Sequence, residues 1–390
     1  MAHTGPLRGV KVLELGAIGP VPFAGLVLSD LGADIVRLDR VGAVASADPS
    51  YAPGNVLDRG RRSVAVDLKS PDGVALALDL AAGADVLLEG WRPGVAERLG
   101  LGPDDCLARN PALVYGRMTG YGQDGPWAAQ AGHDINYLAL AGALAQFGRD
   151  GQPPTSAINL VADFGGGGMV LALGVVSALF EVRGGGAGQV VDATMLDGVG
   201  VLMAPFYAAR QIGFWGPRGT NLIDSGAPFY DCYECADGRW LSVGALEPQF
   251  YDALLAGLGL SPADLPDRDD RTQWPSLRSE FERCIRTRTR DEWAAVFGPG
   301  GHDACVAPVL DLEEAPAHPH HVARGTFERR ENDVLHPAPA PRLSGTPAAV
   351  AGPSPYAGQH TRAALRDWGI DDSRITHLEA TGTIAQHPAG

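Results

Sequence analysis

Three side chains in this 390-residue sequence stand where acid–base chemistry can be built. His133 lies in "QAGHDINY", just ahead of the apolar run "LALAGALAQF"; Asp163 lies in "NLVADFGGGG"; Glu247 lies in "VGALEPQF". Each marks the entrance of an expected helix, where backbone N–H groups point outward and a side chain can reach a cleft. The competing reading is helix capping, since a carboxylate accepts the unpaired first-turn N–H groups and suits the positive end of the dipole. Capping accounts well for Asp163 and Glu247. It accounts poorly for His133, because Asp134 alone suffices to start that helix. Imidazole and carboxylate can each start unprotonated near neutral pH and return a proton later, so the set suits proton transfer. The glycines at 165–168 allow close backbone approach beside Asp163.

A second group is basic. The chain carries a net charge of −15, with no long basic block, which argues against a nucleic-acid scaffold and requires any anionic ligand to meet a local cluster. Such a cluster is visible: Arg37 and Arg40 follow "DIV", Arg92 and Arg98 follow "DVLLEG", and Arg117 ends "LVYGR". In an open parallel sheet the ligand crevice lies beyond the carboxyl ends of the strands. A planar guanidinium donates two hydrogen bonds to a phosphate without losing its charge. As a set these arginines favour a phosphate-bearing ligand; singly, each could instead pair with Asp39, Asp58 or Glu97.

Two motifs tempt toward metals. "CYEC" at 232–235 lies in "PFYDCYECADGRWLSVG", which reads as two strands around an Ala-Asp-Gly turn; on a strand positions three apart face opposite sides, and no second Cys-x-x-Cys completes a zinc site. "HPHH" at 318–321 sits in a Pro-broken connector without a cysteine or acidic partner at metal spacing. Neither motif reads as a metal site. Five scattered cysteines do not make a disulfide framework and fit a reducing compartment. No charged-then-apolar leader pattern appears and no apolar run reaches the roughly 20 residues of a membrane span, so a cytoplasmic location is expected.

The elements that must position these groups follow from hydrophobic period. Over the first 120 residues short apolar runs ("VKVLEL", "DIVRL", "SVAVD", "DVLLE", "LVYGRM") alternate with helical stretches at 22–32, after Ser70-Pro71 and from Pro93. That alternation predicts an α/β fold with a Rossmann-like parallel sheet. The turn after the first strand, "GAIGPVP", lacks the third glycine of the dinucleotide fingerprint, so NAD is not expected. Helices are expected over 134–147, 166–183 and 195–213, with a strand "GQVVDA" before the last. A small α+β domain follows, with helices starting at Glu247, Ser276 and Arg290, and one more helix covers "HTRAALRDWG". The expected division is a large domain over 1–215 completed by 335–390, a small domain over 225–318, and linkers at 216–224 and 319–334.

With these residues in place the sequence resembles the α-methylacyl-CoA racemases within the family III CoA-transferase (CaiB/BaiF) superfamily. "LGADIVRLDR", "DLKSPDG", "GWRPGVAERLGLG" and "MTGYGQDGP" are superfamily features, while "AGHDINYLAL", "NLVADFGGG", "GAPFYDCYECADGRW" and "VGALEPQFY" point to the racemase branch. The resemblance implies that His133 and Asp163 are opposed bases flanking the α-carbon of an acyl-CoA thioester, with Glu247 hydrogen-bonded to the histidine. It implies that Arg40, Arg92 and Arg98 hold the phosphates of coenzyme A, that Asp134 and Tyr137 line the thioester end, and that no metal or other cofactor takes part. It further implies an interlocked homodimer in which Glu247 acts across subunits. The rival within the superfamily is a CoA transferase using the Asp163 carboxylate as nucleophile; such enzymes usually carry an aromatic residue where His133 stands.

Overall fold

The computed structural model describes residues 4–330 and 333–389. The chain divides into two compact units, one made of Met1–Ala141, Ile158–Leu202 and Arg324–Gly390, the other of Gly142–Ala157 and Met203–Ala323.

In the first unit the apolar runs form the parallel strands β1 (Lys11–Leu15), β2 (Asp34–Arg40), β3 (Arg61–Val66), β4 (Val86–Glu89), β5 (Val114–Thr119) and β6 (Gln189–Thr194). Their spatial order is β3-β2-β1-β4-β5-β6, and a short antiparallel strand, Ile384–Ala385, borders β3. The α/β parallel sheet expected from the alternation is therefore present. Its order reverses between β1 and β4, which is where a doubly wound sheet opens a crevice at its carboxyl edge. Leu13, Leu15, Val36, Val64 and Leu87 are almost fully enclosed, with Leu76 and Leu80 of the Pro71–Ala82 helix packed over them. Each enclosed side chain of this size contributes roughly 1.5–3 kcal/mol.

Helix lengths differ from the sequence expectation for identifiable reasons. The helix beginning at Asp134 runs only to Leu140, because Gly142 takes a left-handed conformation (φ 71°) that stops it. The expected 195–213 helix is two, Met195–Leu202 and Ala204–Gln211; Pro205 has no N–H to continue the first and sits in the opening turn of the second. The largest difference is at 160–183. There a π-helical stretch, Leu160–Met169, precedes the Val170–Arg183 α-helix. By length and composition the combined 24 residues could cross a membrane, although the sequence shows no unbroken apolar run of that size. In this fold they carry Asp163 and lay Leu171, Ala172, Val175 and Leu179 into the core.

In the second unit an antiparallel sheet of β7 (Tyr230–Glu234), β8 (Trp240–Gly244) and β9 (Val306–Pro308) is covered by the Pro248–Leu258, Trp274–Ile285 and Arg290–Phe297 helices. Tyr233, Leu241, Leu254, Phe281 and Trp293 form its core. The stretch Gly142–Ala157, which sequence reading gives to the large domain, clusters with this unit. Side chains explain it: Arg218 donates to the carbonyls of Ala145, Arg149 and Gln152, Trp215 Nε1 donates to Gln146 Oε1 at 2.9 Å, and Arg149 grips the buried Asp231 bidentately. Cys232 is exposed and Cys235 buried, and both thiols are free.

Candidate active site

The five strand-end arginines separate into two kinds. Arg37 is buried between Asp39 (2.9 Å) and Asp58. Arg117 is buried against Glu89 (3.3 Å) and Glu97 (2.9 Å). For these two the surface-pairing alternative holds, with the pairs sunk beneath the surface. Arg40, Arg92 and Arg98 are exposed, and none has an ion pair among the described residues. They are the same three that the resemblance assigns to phosphate.

Arg92 stands at the reversal point of the sheet. The loop after β4 is tied to the loop after β1 by Trp91, whose Nε1 donates to the Gly16 carbonyl at 3.1 Å, and the Trp91 N–H donates to Glu89 at 2.7 Å. Gly90 lets the two loops touch, since a Cβ there would press on Val21 and Ala17. Trp91 was missed in the sequence; an aromatic residue two positions after β4 and directly before a candidate phosphate ligand is the signal that could have found it. Arg98 ends the short Val95–Arg98 helix and folds back over Gly94, with its Nη1 about where a Gly94 Cβ would begin to crowd it.

His133 occupies the residue before the Asp134–Leu140 helix but makes no side-chain capping bond. The capping work is done by its neighbours: Asn136 Oδ1 accepts the His133 N–H at 3.0 Å. The imidazole is left exposed and unused by the fold. Asp134 and Tyr137, expected at the thioester end, both turn inward, at 5% and 7% exposure. Tyr137 Oη donates to the Gly132 carbonyl at 2.5 Å, its ring packs edge-on against Tyr121, and Gly120 and Gly132 lack the Cβ atoms that would collide with it. Burial pushes the Tyr137 phenol up to about 12, with the charges of Tyr121 and Asp163 adding to the rise and Arg92 opposing it. These two residues frame the histidine loop from beneath.

Asp163 lies half-buried in the π-helical turn. Wide turns of this kind recur at functional sites, and the glycines make this one packable. A Cβ on Gly166 would meet Val199, one on Gly167 would meet Met195 and Pro20, and one on Gly168 would meet Phe23. Phe164 stacks on Phe23 at 4.6 Å, fixing the turn against the Pro20–Asp30 helix. The carboxylate faces Gly19, whose φ of 71° and absent side chain leave it room. Burial raises the Asp163 pKa above the usual carboxylate value, and the charge of Asp134 raises it further; a hydrogen bond from Asn159 and the charge of His133 oppose the rise. A carboxyl tuned upward is a better proton acceptor and donor near neutral pH. His133 and Asp163 therefore lie within electrostatic reach of each other, inside one unit.

Glu247 belongs to the second unit. It precedes the Pro248–Leu258 helix, where its carbonyl accepts the Phe250 and Tyr251 N–H groups, but its carboxylate caps nothing and is exposed. Its charge helps to raise the pKa of the neighbouring Cys305 thiol, after burial. Among the described residues no three of His, Cys, Asp and Glu form a group that could hold a metal.

The chain is 45% identical over 376 residues to the alpha-methylacyl-CoA racemase of Mus musculus, with 96% of each chain covered. It is 43% identical over 380 residues to the alpha-methylacyl-CoA racemase of Homo sapiens, with 97% of each covered. The fold is shared with a CAIB/BAIF family protein from Brucella suis, at a TM-score of 0.79 and 23% identity over 94% of this chain and 100% of that one. With residues 7–361 matching the pattern of CoA-transferase family III, this chain belongs to that family.

Proposed function

We propose that the protein is an α-methylacyl-CoA racemase, which inverts the α-carbon of 2-methylacyl-CoA thioesters by removing a proton on one face and returning one on the other. The observation that carries this reading is the pairing of an exposed imidazole that caps no helix with a carboxyl whose pKa is raised, both in one unit. In one direction His133 takes the α-proton and Asp163 gives one back; in the other the roles reverse. Positioned bases contribute about 10²–10⁴-fold. The rest of the barrier falls by stabilising the enolate oxygen, for which backbone N–H groups near Asp134 are the candidates. Arg40, Arg92 and Arg98 hold the phosphates of coenzyme A. The chemistry needs no metal or redox group, because the thioester itself acidifies the α-carbon.

The working form is a homodimer, in which Glu247 from a second copy orients the imidazole and favours its protonated state, as a carboxylate does beside a catalytic histidine. An apolar face supports association: Leu173 and Phe180 of the Val170–Arg183 helix are 67% and 82% exposed, and Met169 and Val176, at helical spacing from them, are exposed on the same face. Monomeric soluble proteins rarely leave such a face uncovered. The test is α-proton exchange of a 2-methylacyl-CoA in deuterated buffer, with EDTA and without an acceptor acid. Exchange with epimerisation is expected; transfer of coenzyme A to an added free acid, with no exchange, would replace this reading with the transferase.

A further inference from the structure

Asp134 stands out because its backbone and its side chain serve the two candidate bases separately. Its backbone follows His133 and opens the Asp134–Leu140 helix. Its side chain crosses 28 and 29 positions of sequence: Oδ2 accepts the N–H of Ala162 at 2.7 Å and the N–H of Asp163 at 2.9 Å. These are first-turn N–H groups of the π-helical stretch, which have no partner within that helix. Asn159, the residue preceding the stretch, supplies no capping bond. Oδ1 is enclosed and has no partner among the described residues. An enclosed carboxylate with one bare oxygen is costly to keep. Starting the helix needs no burial, since an exposed aspartate would do that.

We propose that Asp134 is a positioning residue that clamps the backbone of Asp163 to the backbone following His133, so that the two bases hold one separation. The inference rests on the racemase reading above for its catalytic consequence, but the clamp itself does not. A proton transfer that must occur on both faces of one carbon is sensitive to the distance between the two acceptors, and a displacement of about 1 Å can cost on the order of 10²-fold. The clamp also brings a second carboxylate against Asp163. The ionisable groups facing Asp163 are Asp134, His133 and Tyr137, from the Asp134–Leu140 helix and the residue before it. Among the described residues, the Pro20–Asp30 side brings Gly19, Pro20 and Phe23 against this turn and the Met195–Leu202 side brings Gly198 and Val199, none of them ionisable. Asp134 is thus the negative charge that holds the Asp163 proton affinity up, while burial supplies the larger part.

Two variants separate clamp from charge. Asp134→Asn keeps an oxygen that can accept both N–H groups and removes the charge; Asp134→Ala removes both. Amide hydrogen exchange of the segment around Ala162 and Asp163 is measured by mass spectrometry, beside α-proton exchange from each epimer across pH. Asp134→Ala should lose amide protection there and slow kcat by about 10- to 100-fold with little change in KM. Asp134→Asn should retain protection and recover part of kcat. Its acidic limb, in the direction served by Asp163, should move to lower pH. Unchanged protection and unchanged rates in Asp134→Ala would overturn the clamp, and an unmoved acidic limb in Asp134→Asn would overturn the charge. If the wild-type protein exchanges no α-proton, the racemase reading falls, and the amide-exchange arm still decides the clamp.

Discussion

The strand-end arginines permit a sharp contrast between stability and binding. Arg37 has a side chain only 10% exposed and is paired with Asp39 and Asp58, whose side chains are 17% and 9% exposed. Removing it leaves two enclosed carboxylates without a cation. Ser63 Oγ still donates to Asp39 and Asn55 Nδ2 to Asp58, each at 2.5 Å, but neutral donors do not replace the charge. Breaking a buried pair from one side costs about 3–5 kcal/mol. At roughly 2–4 °C per kcal/mol for a unit of this size, Arg37→Ala should melt about 6–20 °C lower. Arg92→Ala and Arg98→Ala break no ion pair, so their melting temperatures should stay near wild type. Each should lose a charge-assisted phosphate contact of roughly 1.5–3 kcal/mol, which is about 10- to 150-fold in Kd for a CoA thioester. Added salt should weaken wild-type binding more than that of either variant. Thermal melts and calorimetric titration with a non-reactive CoA thioether read both quantities. If Arg92→Ala and Arg98→Ala lower the melting temperature as Arg37→Ala does and leave the affinity unchanged, the division of the five arginines is wrong.

The remaining predictions concern the bases and the turn that carries one of them. His133→Ala should abolish α-proton exchange from one epimer and spare some from the other, Asp163→Ala should show the opposite preference, and both should lose inversion; a folded His133→Ala protein that inverts at the wild-type rate refutes the two-base scheme. Because the folded-state pKa of Asp163 is raised, the folded protein holds that proton where the unfolded chain has released it, so ionising Asp163 lowers stability as pH rises through its unfolded and then its folded value. Asp163→Asn should therefore melt higher than wild type at neutral pH, and the gain should shrink as the buffer is acidified below the folded-state value; denaturant titrations at several pH values check it. Gly198→Ala would drive a Cβ into the Gly166 carbonyl. It should destabilise by about 1–3 kcal/mol and slow α-proton exchange by displacing the turn that holds Asp163.

The parallel sheet was legible because its inner strands are enclosed on both faces and so read as short apolar runs, although the edge strand β6 is largely exposed. The motifs at the helix entrances were legible for a different reason. His133 had no structural use at its position, and the structure gives it none. The sequence could not tell Arg37 and Arg117 from Arg40, Arg92 and Arg98, because all five stand at the ends of apolar runs, and the partners of Arg117, Glu89 and Glu97, lie 28 and 20 positions away in the chain. What separates them is the pleat and the register: Arg37 lies beside Ser63 of β3 and Arg117 beside Glu89 of β4, inside the sheet, whereas Arg40 closes β2 at its rim. Nor could periodicity reveal the π-helical turn at Leu160–Met169, whose glycines meet residues of two segments far away in the chain, the Pro20–Asp30 and Met195–Leu202 helices. Asp134 was read as a helix start with a place near the thioester. Its reach to Asp163 is a contact between residues far apart in sequence, which no local pattern encodes.

The distinction between racemase and transferase narrows to a single side chain once the environment of Asp163 is known. Burial beside another carboxylate raises its proton affinity, and this serves a base; the same tuning serves a carboxylate nucleophile, whose strength also grows with basicity. Asp163 therefore cannot decide between the two chemistries. The arginines cannot either, since both reactions hold coenzyme A. His133 can. A nucleophilic route has no use for a second proton acceptor, while inversion cannot proceed without one, because a lone base returns the proton to the face it came from. The loop around His133 is built as though the imidazole mattered: Asn136 takes over the cap, Tyr137 and two glycines fix the loop beneath, and the ring is left free. Replacing His133 with Phe should therefore preserve folding and CoA-thioester affinity while removing inversion. Retained α-proton exchange from the epimer served by Asp163 would show that the carboxyl still works as a base when the imidazole is gone.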